Sequence, residues 1–168
     1  MSKSQLDFTI RPIQDSDLDA VLEVYRQCED FLALGPVAQA SAQMVAGDRE
    51  LSARHGGTYC GIYVQKPGFL EKPGFFLLAG ILDYAPEPDG AIFIELLMLA
   101  PACREQGLGE AAVDWLQAET QAPVLRAAVQ VNNPRAVRFW QRMGFRITGL
   151  AALQEDGTTT YPLERTAP

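Results

Sequence analysis

The segment Pro101-Ala102-Cys103-Arg104-Glu105-Gln106-Gly107-Leu108-Gly109 constrains this chain more than any other. It follows the apolar run 92–99, which reads as a buried strand, and precedes residues 110–119, which read as a helix. Two glycines one residue apart, where a strand hands over to a helix, gather several bare backbone N–H groups around one point. With the positive end of the helix dipole, those donors make an anion site. Gly107 and Gly109 let the chain turn tightly and let a ligand approach with no Cβ in the way. Such a loop predicts a phosphate-bearing cofactor.

Spacing narrows the choice. A nucleotide-triphosphate loop needs a Lys after its last glycine, and none follows Gly109. A dinucleotide fingerprint tolerates Ala112 as its third small residue, but it belongs in a first βαβ unit with an acidic residue about 20 positions on. Arg104-x-x-Gly107-x-Gly109 instead resembles the pyrophosphate-binding motif of GNAT-type N-acetyltransferases, Arg/Gln-x-x-Gly-x-Gly/Ala. Taken alone, the loop also fits an ordinary strand–helix connection.

A second segment adds specificity. In Asn133-Pro134-Arg135-Ala136-Val137-Arg138-Phe139-Trp140-Gln141-Arg142-Met143-Gly144-Phe145, Asn133 is a good N-cap and Pro134 suits the first helical position. Gly144 supplies the stop. Ala136, Phe139, Trp140 and Met143 share one helical face, while Arg135, Arg138 and Arg142 line up on another. The segment is similar to the second GNAT motif, Asn-x-x-Ala-x-x-Phe/Leu-Tyr-x-x-x-Gly-Phe, and departs from it at one position. Trp140 stands where the family places Tyr.

Remaining elements follow in order: a strand at 8–13, a helix capped within 15–17, an apolar break at 31–36 and a second helix over 40–54. Strands at 59–65 and 75–84 flank a turn-rich connection at 66–74. A strand at 124–131 precedes the helix from Asn133, and 146–153 with 158–163 make a closing hairpin around Asp156-Gly157. The order β-α-α-β-β-β-α-β-α-β-β is that of the GNAT fold. The resemblance thus implies a single α/β N-acetyltransferase domain over residues 1–168, with a mixed, splayed sheet flanked by helices.

Composition excludes several other classes. Net charge is −7, which argues against a nucleic-acid partner. No segment is long and apolar enough to span a membrane, and the first seven residues lack signal-peptide character, so a cytoplasmic protein is expected. Cys28, Cys60 and Cys103 have no metal-ligand spacing and His55 is the single histidine, so no metal is expected. Residues 1–103 hold seven Lys/Arg against fourteen Asp/Glu, while 104–146 hold six Arg against four acids. A basic second half suits an anionic cofactor, and an acidic first half suits a cationic amine or is simply a solvated surface.

Acetyl transfer to an amine needs a free amine, a polarised carbonyl and a proton for the leaving thiolate. Glu95 is the one ionisable residue in the strand 91–99. A buried carboxylate there tends toward the range where it takes a proton, and it could equally point into a polar cleft or pair with an arginine. The resemblance implies acetyl-coenzyme A as cofactor and Glu95 as base. It assigns the backbone at Leu97, Met98 and Leu99 to the acyl carbonyl. It assigns Arg104, Glu105, Gln106, Gly107, Leu108 and Gly109 to the pyrophosphate and Asn133 to the pantetheine arm, and counts Ala136 and Trp140 among the cofactor-binding residues. Arg138 or Arg142 could meet the outer phosphate or stay solvated. An indole cannot give up its proton at accessible pH, so water or a phenol (Tyr84 or Tyr161) must protonate the sulfur. The implied partner is a primary amine on a small molecule or peptide, attacked directly in a ternary complex, and a homodimer fits the reading. The alternative is a non-catalytic acyl-coenzyme A sensor.

Overall fold

A computed structural model of the chain describes residues 7–65 and 76–168, so the predicted 66–74 connection and the first six residues lie outside the described part. One mixed sheet runs through those residues in the order β1-β2-β3-β4-β5-β8-β6, with β7 paired to β8. The strands are β1 (Phe8–Pro12), β2 (Thr58–Gln65), β3 (Phe76–Pro86), β4 (Ile92–Leu99), β5 (Val124–Gln130), β6 (Arg146–Ile147), β7 (Ala152–Leu153) and β8 (Thr159–Thr166). The helices are α1 (Leu18–Gln27), α2 (Glu29–Leu32), α3 (Ala42–Arg54), α4 (Leu108–Thr120) and α5 (Pro134–Arg142).

Strand alternation gives the sheet two apolar faces, and each takes its own helices. Val21, Val24 and Tyr25 of α1 and Val45 of α3 pack on Tyr59, Ile81 and Met98. On the other face, Leu108, Ala112, Val113 and Leu116 of α4 and Trp140 of α5 pack on Ile62, Leu82, Ile94, Leu125 and Val129. This two-layer burial is what stabilises the domain.

Every strand pair is antiparallel except β4 with β5. The parallel ladder holds only from Ile92↔Leu125 to Ile94↔Ala127. Beyond it the two strands part, so the second half of β4 has no neighbour on that side. This is the splay expected from the family resemblance.

Three expectations are corrected. The cofactor helix starts at Leu108, so Gly109 lies in its first turn rather than in the loop. The predicted break at 31–36 begins with a short helix, α2, which four residues make too brief for any periodic signal. The closing hairpin forms around Asp156-Gly157, but its first arm divides into the two-residue strands β6 and β7.

Candidate active site

A cleft of about 510 Å³ opens where β4 and β5 part. Leu97, Met98 and Leu99 of β4 floor it, α4 contributes Gly109 and Glu110, and α5 contributes Ala136, Phe139 and Trp140. Ala100 N–H donates to Ala79 O at 2.8 Å, and the Met98 carbonyl crowds Gly80 on β3. Peptide groups alternate along a strand, so Leu97 and Leu99 turn theirs toward the gap. The Leu99 carbonyl bears this out, accepting from Cys28 Sγ at 3.3 Å and Arg104 Nε at 2.9 Å. Of the three expected strand positions, Leu97 and Leu99 aim donors into the cleft, whereas the backbone of Met98 serves the β3 ladder.

Next to the gap, Gly107 caps α4 with φ of 83°, a conformation that other residues adopt at a cost. Ala111 is the first residue to bond back, to Gly107 O at 3.0 Å, which leaves the N–H groups of Leu108, Gly109 and Glu110 without helical partners. Gly109 is tight for a different reason. A Cβ there would lie 3.1 and 3.2 Å from ring atoms of Phe139, so that ring would have to give by a few tenths of an ångström. The buried Leu108 side chain belongs to the core, and Gln106 folds back to Ala102 O at 2.6 Å, so these two contribute backbone only.

Arg104 is not a free phosphate ligand. Its guanidinium grips Asp30 of α2 through two bonds, 2.5 and 3.0 Å, besides holding Leu99 O. That grip keeps the Asp30 carboxyl below the usual carboxylate range, and it makes α2 a wall of the cleft with Asp30 and Phe31 on the lining, joined by Leu34 just beyond the helix. Glu105, strained at φ of 61°, pairs with Arg135 at 2.9 Å across the mouth. Arg138 and Arg142 also line the cleft and have no ion-pair partner among the described residues. These two side chains therefore carry positive charge at the cleft that no described carboxylate pairs.

Asn133 lines the cleft with its side chain partly committed, since Oδ1 caps α5 by accepting from Ala136 N at 3.0 Å. Trp140 is 7% exposed and stacks edge-on with Phe139 and Phe145, at centroid distances of 5.1 and 4.8 Å. None of Tyr84, Tyr161 and Glu95 is among the residues that line the cleft.

Glu95 stands apart. A bulge in the β3–β4 ladder, where Asp83 faces Leu96 and Tyr84 faces Ile94, leaves Glu95 unpaired. It turns toward the α3 layer and meets His55 Nδ1 at 2.6 Å. Its partner is the one histidine, just past the C-terminus of α3, and not an arginine.

The loop, the α4 terminus and the splayed gap are what an acyl-coenzyme A would need, and comparison with known proteins agrees. A family model described as "Acetyltransferase (GNAT) family" matches residues 25–145. This chain belongs to that family. Its members use acetyl-coenzyme A. A curated relative, the peptidyl-lysine N-acetyltransferase YjaB of Salmonella typhimurium, is 38% identical over 93 residues. The match covers 55% of this chain and 54% of the relative, so it spans about half of either protein. Among solved structures, an acetyltransferase from Thermus thermophilus superposes with a TM-score of 0.77 at 20% identity, covering 96% of this chain and 98% of that one. The acetyltransferase yncA of Salmonella typhimurium, solved with acetyl-CoA, gives 0.64 at 15% identity over 95% of this chain and 93% of its own. At such identities these two likenesses speak for the fold. No helix among the described residues is long and apolar enough to cross a membrane.

Proposed function

We infer that this chain moves an acetyl group from acetyl-coenzyme A to a primary amine, and that the amine is a lysine side chain of a peptide or protein. The observation that carries the reading is the β4–β5 gap, with unpaired N–H groups on its floor and a bare helix N-terminus at its mouth. When bound, acetyl-coenzyme A supplies a thioester, an acyl group on a good leaving group. In this reading the N–H groups of Leu108, Gly109 and Glu110 hold the pyrophosphate, and Arg138 and Arg142 meet the outer phosphate. Leu97 and Leu99 donate to the carbonyl oxygen as negative charge develops on it. Glu95 takes a proton from the attacking ammonium, directly or through water. Trp140 and Phe139 form an apolar wall that keeps water from the thioester. The lysine preference draws on the partial relative, whose name states a peptidyl-lysine substrate.

A thiol-release assay with acetyl-coenzyme A tests the reading against lysine peptides, free amino acids, polyamines and other small amines. Release that depends on lysine peptides is the expected result. Release with small amines alone would move the substrate class.

One observation favours a second reading. No phenol lines the cleft among the described residues, and Trp140 occupies the position of the family's acid. A non-catalytic acyl-coenzyme A sensor would need no such acid. It would bind the cofactor and release no thiol with any amine.

A further inference from the structure

Helix α3 turns a polar stripe to the sheet. Asp48, Ser52 and His55 are spaced four and three apart, so they share one face. Each meets a polar partner brought by a different element. Tyr25 of α1 donates to Asp48 at 2.7 Å and contacts the Tyr59 hydroxyl at 2.6 Å. Ser52 donates to Asp83 of β3 at 2.6 Å, and His55 meets Glu95 of β4 at 2.6 Å.

On the strand side, Tyr59, Asp83 and the bulged Glu95 form a row across β2, β3 and β4, because Tyr59 pairs with Asp83 and Asp83 sits opposite Leu96. A helix packed by polar pairs forgoes apolar burial, and each pair must be satisfied to be tolerated. The seam has one end open to solvent. The His55 side chain is 47% exposed, that of Glu95 is 15% exposed, and Asp83 is closed in at 4%.

We propose that His55 and Asp83 are positioning residues that act through Glu95, together making the bulge carboxylate the acceptor of the proton that leaves the substrate ammonium. This rests on the acetyl-transfer reading above and adds two residues to it. With Nδ1–H of neutral imidazole donating to Oε1, the second oxygen of Glu95 is left to take the proton. The ammonium N–H bond breaks, its electron pair stays on nitrogen for attack on the acyl carbon, and an O–H bond forms on Glu95. The new C–N bond forms, the C–S bond breaks with its electrons on sulfur, and the second proton of the attacking nitrogen passes through water to the thiolate, leaving a neutral amide. The proton on Glu95 returns to water when product leaves.

The two helpers have opposite signs. An anionic Asp83 makes it easier for Glu95 to accept a proton, and a protonated His55 makes it harder. Burial and the Glu95 charge push Asp83 up to about 6, so its charge changes close to the working range. Other charged or titratable groups around the seam are Asp48 and Arg49 of α3, Tyr25 of α1, and Tyr59 and Cys60 of β2. Burial holds both hydroxyls and the thiol in their neutral forms, leaving Asp48, Asp83, Glu95, His55 and Arg49 to set the field.

Two variants and one spectroscopic readout test this. His55→Asn keeps a donor toward Glu95 and cannot become a cation. Its kcat at neutral pH should stay within about threefold, while the acid limb of its pH–rate profile moves to lower pH. Asp83→Asn keeps the Ser52 bond, and its kcat should fall about tenfold, the effect of one unit of lost basicity, with KM for acetyl-coenzyme A unchanged. An acid limb identical in parent and His55→Asn would overturn the proposal, as would an Asp83→Asn variant whose kcat matches the parent.

Because His55 is the single histidine, its ring NMR signals are read without ambiguity in the intact unliganded protein. Replacing Glu95 with Gln should move the Nδ1 signal at neutral pH, and an unmoved signal would show that the pair does not form. If the parent acetylates no amine, the function reading fails and takes the catalytic role of the pair with it. A signal that moves nonetheless identifies that failure as one of function rather than of geometry.

Discussion

At the scale of single residues, Trp140 carries the clearest consequence. Its ring lies between Phe139 and Phe145 and borders the cleft, so it acts as a wall. Trp140→Tyr should preserve or raise turnover by returning a hydroxyl to the family's position, at a stability loss on the order of 1–2 kcal/mol. Trp140→Phe should match the parent rate. A large loss in Trp140→Phe with cofactor binding intact would mean that the indole N–H takes part in the reaction. Asp83 makes a second prediction through stability. An acid raised from 3.8 to about 6 binds its proton more tightly in the folded state, so folding weakens as pH rises through that window. Urea midpoints of the parent should fall across it, and those of Asp83→Asn should fall less, the remainder coming from groups such as Asp48, which burial also raises. Glu95 was legible as the odd polar residue in an apolar strand. His55 was not, because the pair joins residues 40 apart and depends on a bulge that no local pattern announces.

At the scale of elements, the two helices that line the cleft were legible because their signals are local. Asn133 caps α5 as its residue type requires, and Asn133→Ala should cost about 1 kcal/mol of unliganded stability by thermal or chemical denaturation. Gly107 marks the turn into α4, but the boundary was set two residues late because Leu108 and Gly109 read equally well as loop. The close packing of Gly109 on Phe139 explains the residue better than loop flexibility does. Gly109→Val should push α4 and α5 apart and remove most of the stabilisation that cofactor confers. That stabilisation is about 2.7 kcal/mol at 100 times the dissociation constant, read as a thermal shift. Helix α2 is too short to leave a periodic signal. Its place in the wall rests on the Asp30–Arg104 bond between positions 74 apart, and sequence spacing carries no record of such a contact.

At the scale of the whole molecule, one arrangement joins the parts. The splay of β4 from β5 opens a cleft on one side, the bulge in the same strand turns Glu95 to the other, and the reacting amine would meet the thioester between them. The mixed sheet and the parting of its strands followed from the family resemblance carried by two motifs and the element order. The chemistry on the α3 side followed from neither, since it is assembled from three strands and two helices. The measurement that tests the account most directly is a single turnover of protein loaded with acetyl-coenzyme A against a lysine-bearing peptide, followed by intact mass of both partners. The account predicts one acetyl group on the peptide, none on the protein, and loss of the transfer in Glu95→Gln with cofactor still bound. An acetyl group on the protein itself, or a cofactor that binds and is never consumed, would contradict it.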